Sequence, residues 1–194
     1  FDNITYQLLG NVTIGSGTAI TIPEGVVFKS TGPSFIVDGA LKVLGTDTDP
    51  VVLTHAEDDE FGNPKDTRNN GDQSGDINTV RDSWITFKSG SDDANSVVDN
   101  AIIRFRFVRS RDDAGVFLIN ASPTIKNSRF EFNKNGVFLK GISEPILENN
   151  VFNDTGLPIA GTILSFPSSV SGNQITGSTL RAIGIQRETL VQDF

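Results

Sequence analysis

Two segments of this chain nearly repeat each other. Pro123-Thr-Ile-Lys-Asn-Ser-Arg-Phe130 lies above Pro145-Ile-Leu-Glu-Asn-Asn-Val-Phe152 with proline on proline, Asn127 on Asn149 and Phe130 on Phe152, each pair 22 residues apart. A fixed step of about 20–25 residues, built of short apolar runs separated by Gly and Asn without helical periodicity, marks one coil of a parallel β-helix. A chain with such a step stacks neighbouring coils on each other and needs no second core.

The rest of the chain follows the same style. Val12-Thr-Ile14, Ala19-Ile-Thr-Ile22 and Val26-Val-Phe28 are separated by Gly15-Ser-Gly17 and Pro23-Glu-Gly25. Proline presets one turn dihedral and glycine takes the positive φ of the next. Strands of three to five residues with such short turns suit coils of a solenoid better than a sandwich. Residues 57–82, from Glu57-Asp-Asp-Glu60 through Gly62-Asn-Pro64 to Asp76 and beyond, hold almost nothing to bury. They read as one long inserted acidic loop, the kind of segment that carries binding on a rigid scaffold. Setting the loop aside, the sequence predicts an all-β parallel β-helix of roughly seven to eight coils over a single domain, 1–194, about 35 Å long.

Period-two alternation sets the expected faces. Ile103, Phe105 and Phe107 alternate with Arg104 and Arg106, which predicts aromatics inward and arginines outward. Phe130 and Phe132 are expected inward on the next coil, with Glu131 above Arg104. Asn100, Asn127 and Asn149 fall at one place before a strand, and Asn173 is one position off. Such a column either bonds side chain to side chain along the axis or reflects the tolerance of Asn for left-handed corners.

The run TIPEGVVFKS…FIVDGALKVLGTDTDPVVLTH, an acidic loop and then WITF resembles the opening coils of right-handed parallel β-helix domains of the pectin-lyase-like superfamily. It is most similar to the versions carried by large bacterial secreted and surface proteins. The matching positions are Pro23 and Gly25, Gly39 and Leu41, Gly45 and Thr46, Pro50 and Thr54. The resemblance implies fold, and it implies little about function, since that fold carries lyases, hydrolases, adhesins and stalks alike.

Charge and composition narrow the partners. A net charge of −8 and a pI near 4.6 argue against nucleic acid, whose binding is driven by Lys and Arg. With no cysteine there is no disulfide framework, thiolate metal site or catalytic thiol. No apolar run approaches the roughly 20 residues of a membrane span, so no membrane insertion is expected. The acidic, Thr/Asn/Gly-rich composition points to an extracellular or cell-surface location. The start at Phe1-Asp2-Asn3, without an initiator Met, is expected of a piece of a longer chain.

Three sets of residues could carry chemistry. The acidic loop could supply oxygen ligands to calcium through Asp58, Asp59, Asp72 and Asp76, although its spacing matches neither an EF-hand nor a nonapeptide calcium motif. Arg104, Arg106, Arg109 and Arg111, with Trp84 as a stacking platform, could contact a polysaccharide or cell-surface glycan. The doublets Asp92-Asp93 and Asp112-Asp113 could act as paired carboxylates, but the Gly-His-Gly element of polygalacturonase-like enzymes is missing. The only histidine, His55, is read as a strand-end residue rather than a base. No catalytic residue is assigned. The leading expectation is a non-enzymatic, extracellular spacer or adhesin-like module that contacts carbohydrate or calcium through the loop. The alternatives are a filament subunit that self-associates through uncapped ends, and a polysaccharide lyase or hydrolase.

Overall fold

The computed structural model describes residues 4–71, 82–106 and 112–188. Coil one carries β1 (Thr5–Gln7), β2 (Val12–Ile14) and β3 (Ala19–Pro23); coil two carries β4 (Val27–Ser30), β5 (Phe35–Val37) and β6 (Ala40–Leu44). Coil three carries β7 (Val51–His55), β8 (Ile85–Phe87) and β9 (Val97–Asp99); coil four carries β10 (Ala101–Arg104), β11 (Ala114–Ile119) and β12 (Thr124–Lys126). Coil five carries β13 (Arg129–Glu131), β14 (Asn135–Lys140) and β15 (Ile146–Glu148). Coil six carries β16 (Val151–Asn153) and β17 (Leu157–Gly161), and coil seven β18 (Gln174–Thr176) and β19 (Ile183–Ile185).

Equivalent strands of successive coils pair in parallel, giving three sheets. Sheet A runs β1-β4-β7-β10-β13-β16-β18, sheet B β2-β5-β8-β11-β14-β17-β19 and sheet C β3-β6-β9-β12-β15. The expected all-β solenoid is the fold, with about seven coils. Among the described residues the only helical turn is a 3-10 turn at Asp93–Asn95, and no helix is long and apolar enough to cross a membrane.

Short strands alternate their side chains, so one face of each sheet fills the interior. Val37, Leu41, Leu53, Val98, Ile103 and Ile125 belong to one continuous core along the axis. The 22-residue step places Phe130 opposite Phe152, their rings stacked at 5.1 Å and 15°. Room for these rings comes from Gly115 and Gly136 on sheet B: a Cβ at Gly136 would lie 2.4 Å from a Phe152 ring carbon, and one at Gly115 2.8 Å from Phe130. One coil before Phe130 the sheet A position is Ile103, and before Gly115 the sheet B column continues at Trp84, whose backbone N–H donates to the Gly115 carbonyl at 3.1 Å.

The corners decide between the two readings of the asparagine column. Asn100, Asn127 and Asn149 each have φ near +50°, and Gly172 (φ +69°) completes the column, so these asparagines are left-handed corner residues. The bonding ladder lies one residue later. Ser128 Oγ accepts from Ala101 N (3.1 Å), Asn150 Oδ1 from Ser128 N (3.0 Å) and Asn173 Oδ1 from Asn150 N (2.8 Å). Asn173 is therefore in step with Asn150, and the bonds run from side chain to backbone.

A second left-handed column stands between sheets A and B: Phe105 (φ +62°), Phe132 (φ +52°), Asp154 (φ +50°) and Gly177 (φ +65°). A positive φ reverses the parity of everything after it. Arg106, expected outward, is fully buried, and its N–H donates to the inward amide of Asn133 at 3.0 Å. Phe105 and Phe132, expected in the core, stack on each other outside it at 5.1 Å and 11°, and Phe132 is 37% exposed. Phe107 lies outside the described residues.

Candidate functional site

Sheet A turns its outer side toward the acidic loop. Lys29 pairs with Thr54, and Arg104 with Glu131, on consecutive strands of that face. Two long cations and a carboxylate on a strand surface would ordinarily be solvated. Here Lys29, Thr54, Arg104 and Glu131 are all buried, because residues 56–65 fold back as a strap over β4, β7 and β10.

Apolar contact explains part of this docking. Phe61, the one large apolar side chain of the described loop, packs on the outward Val27, Val52 and Ile102 of coils two, three and four. Full burial of a Phe side chain stabilises by about 1.5–3 kcal/mol, and half-buried Phe61 gains part of that. The loop thus contains what the sequence reading overlooked, a single anchor with a matching outer-face stripe.

Charge does the rest. Asp58, 1% exposed, sits over Thr54 and between the two cations. Its carboxylate accepts from Thr54 Oγ1 and lies 3.5 Å from Arg104, and its carbonyl accepts from Lys29 Nζ at 2.6 Å. The carbonyl of Lys65 is the second Lys29 acceptor. Burial pulls the Lys29 ammonium below its ordinary pKa, and Asp58, Asp59, Asp66 and Glu57 oppose that pull.

Arg104 is enclosed on every side. Glu60 pairs with its Nη1, Glu131 Oε2 lies 3.4 Å from its Nε, and Glu131 is shared with Arg129. Its guanidinium carbon lies 4.6 Å from the Phe105 ring centre, 5.2 Å from Phe61 and 5.3 Å from Phe132. Such rings favour a cation that carboxylates already neutralise. The enclosure also gives the two phenylalanines at positive φ a packing reason to hold that conformation.

The second arginine occupies a different place. Arg106 donates to the carbonyls of Gly32 (3.2 Å) and Pro33 (3.1 Å), and its guanidinium carbon is 4.0 Å from the centre of the Trp84 ring. Trp84 is 0% exposed and donates Nε1–H to the Arg104 carbonyl at 2.9 Å. Burial pulls the Arg106 pKa down to about 9, with Asp82 and Asp113 pulling it up, so the group is cationic at neutral pH. Neither residue presents a surface to a glycan. Both fill the corner between sheets A and B.

The structure therefore brings Arg104 together with Asp58, and separates Trp84 with Arg106 from them. Arg109, Arg111, Asp72 and Asp76 lie outside the described residues. Asp58 serves Arg104, Thr54 and the backbone N–H of Glu60 (3.1 Å), which makes it a counter-ion. Among the described residues no group of three or more His, Cys, Asp or Glu could hold a metal ion. Asp92 caps the 3-10 turn through Asn95, and Asp93 accepts from Ser91 Oγ (2.6 Å) and Ser122 N (2.7 Å), so this doublet has corner roles. Asp112 lies 3.8 Å from Lys140.

His55, at the end of β7, is 7% exposed, and its Nδ1 accepts from Glu57 N at 3.1 Å. Burial pulls its pKa below 6.5, Glu57 and Asp58 oppose, and Arg106 and Arg68 add to the fall. It fixes the take-off of the strap.

Two surface cavities accompany these elements. One of 560 Å³ lies between the strap and the turn before β7, lined by Thr48, Asp49, Val52, Phe61, Asn63 and Lys65 among others. Another of 420 Å³ lies on the outer side of sheet B by Asp82, Thr86, Lys88, Asp112 and Asp113. Lys29 and Phe61 are the site residues that sequence reasoning missed. Their available signal was an outward lysine one coil before an acidic insertion that contains one phenylalanine. No protein-family model, curated protein or solved structure matches this chain.

Proposed function

We propose that this chain is a stiff, non-catalytic β-solenoid module, a spacer or adhesive segment of the kind carried by large secreted or cell-surface proteins. The observation that carries the reading is the enclosure of Arg104. Of the candidate arginines among the described residues, Arg106 is fully buried, and Arg104 is 4% exposed and already neutralised by Asp58, Glu60 and Glu131. An arginine that works on a substrate needs an open face and an unneutralised charge. The same enclosure makes the strap part of the scaffold. Kinship with the pectin-lyase-like superfamily rests on the Pro23/Gly25, Gly39/Leu41 and Pro50/Thr54 pattern and on the three-sheet solenoid.

The test is incubation with a panel of neutral and acidic polysaccharides, followed by assay of new reducing ends and unsaturated uronate. The reading expects none, together with an elongated scattering profile in solution. Release of either product, lost on Arg104→Ala, overturns it.

A second reading, glycan contact by the strap, is favoured by the 560 Å³ cavity, where the Phe61 ring and Val52 meet Asp49, Asn63 and Thr48. Pockets of this size that mix an apolar floor with a few polar groups hold small ligands. Titration of isotope-labelled protein with oligosaccharides should shift the Asn63 side-chain amide. An unmoved Asn63 amide across the panel rejects it.

A further inference from the structure

Coils of a solenoid ordinarily touch only their neighbours, so the terminal coils open first and opening spreads inward. Two features of this chain break that nearest-neighbour rule.

The first is the strap. Its residues touch sheet A on four successive coils. Thr5 on coil one donates to the Pro64 carbonyl (3.3 Å) and accepts from Asn63 N (2.8 Å). Lys29 on coil two, Thr54 on coil three and Arg104 on coil four hold Asp58, and Phe61 packs across coils two to four. Gly62, φ +101°, lets the chain pass Thr5 closely, since a Cβ there would lie 2.3 Å from Thr5 Oγ1. The second feature is Arg106. From coil four it crosses the Trp84 ring of coil three and bonds carbonyls of coil two. Sheet C has no comparable crossing among the described contacts.

We propose that the strap and Arg106 are axial staples that make coils one to four a single opening unit, so that the N-terminal end of the solenoid does not fray on its own. Coil one then opens only when the strap leaves sheet A. The first coil is thin on sheet A, with Thr5–Gln7 largely exposed and Leu9 87% exposed, and it adds only Leu8, Ile14 and Ile22 to the buried core. The strap adds polar contacts that tie this coil to three further coils. The device deepens the reading of a stiff module, because a load on the N-terminal end is shared by four coils instead of one.

Native-state hydrogen exchange resolved by residue tests this, and it reads a quantity that the polysaccharide assay does not touch. The probes on coil one are the amides of Leu8 and Val12, which donate to Lys29 O and Ser34 O. The controls on coil six are Val151 and Asp154, which donate to Ser128 O and Thr176 O. Thr5→Val removes the outermost staple contact with little change in shape, and Lys29→Met removes the next. Each variant is expected to speed exchange at Leu8 and Val12 at least about tenfold while the controls stay unchanged, since local opening has its own free energy. Unchanged exchange on coil one in both variants overturns the proposal. Equal acceleration on every coil also overturns it, because the contacts would then serve global stability alone.

Discussion

Arg106 lies over Trp84, its guanidinium carbon 4.0 Å from the ring centre, and both residues are 0% exposed. The pair closes the corner between sheets A and B on coils three and four. Trp84→Phe keeps an aromatic ring there but loses the Nε1–H bond to the Arg104 carbonyl. The expected loss is about 1–3 kcal/mol in urea unfolding. Because Trp84 is the lone tryptophan, wild-type fluorescence should be blue-shifted when folded and should red-shift in one transition with the circular dichroism signal. Emission already at the solvent-exposed position in the native protein contradicts this placement.

Arg104→Met leaves Asp58 and Glu131 buried without their shared cation. Breaking one side of a buried pair costs about 3–5 kcal/mol, and a midpoint shift in chemical denaturation checks it. A change below about 0.5 kcal/mol, the range of ordinary surface substitutions, contradicts the enclosure.

Much of the fold was legible because the repeat is covalent information. The 22-residue step forces Phe130 onto Phe152, and period two puts Glu131 beside Arg104, as found. The parity reversal was not legible, because it turns on Phe105 and Phe132 at positive φ. Bulky residues rarely take that conformation, and nothing local marks them as Asn or Gly would. The strap was hidden for a different reason. Its docking depends on Lys29, Thr54 and Phe61, which composition places in unrelated segments and only the stacked register assembles.

His55 predicts a pH effect. Its folded pKa lies below the 6.5 of the free side chain, mainly through burial. The unfolded chain therefore binds the proton first, and stability falls as pH drops through 6.5 toward the folded value. Above that window His55 contributes no pH dependence. Thermal melts of wild type and His55→Gln between pH 8 and 5 should diverge only below about 6.5, with the variant less acid-sensitive. Parallel curves would remove His55 as the cause.

Gly136→Ala sets a Cβ 2.4 Å from Phe152 and 2.5 Å from the Pro158 carbonyl. Overpacking of this kind costs about 1–3 kcal/mol. Gly10→Ala, where a Cβ meets nothing within 4 Å, serves as the control and should stay within about 0.5 kcal/mol of wild type. Equal losses at the two sites would mean that the Phe130–Phe152 stack does not need the gap.

Asp58 and Arg104 form a buried latch binding the strap to the solenoid, and a double-mutant cycle measures it directly. Asp58→Asn keeps a polar group near Thr54 and removes the charge, and Arg104→Met removes the cation. Such a latch gives a coupling energy of about 1–3 kcal/mol between the two substitutions in urea unfolding, as for residues in one ion-pair network. Additive effects, with coupling below about 0.5 kcal/mol, would contradict the latch and return the acidic loop to the set of segments open to ligands.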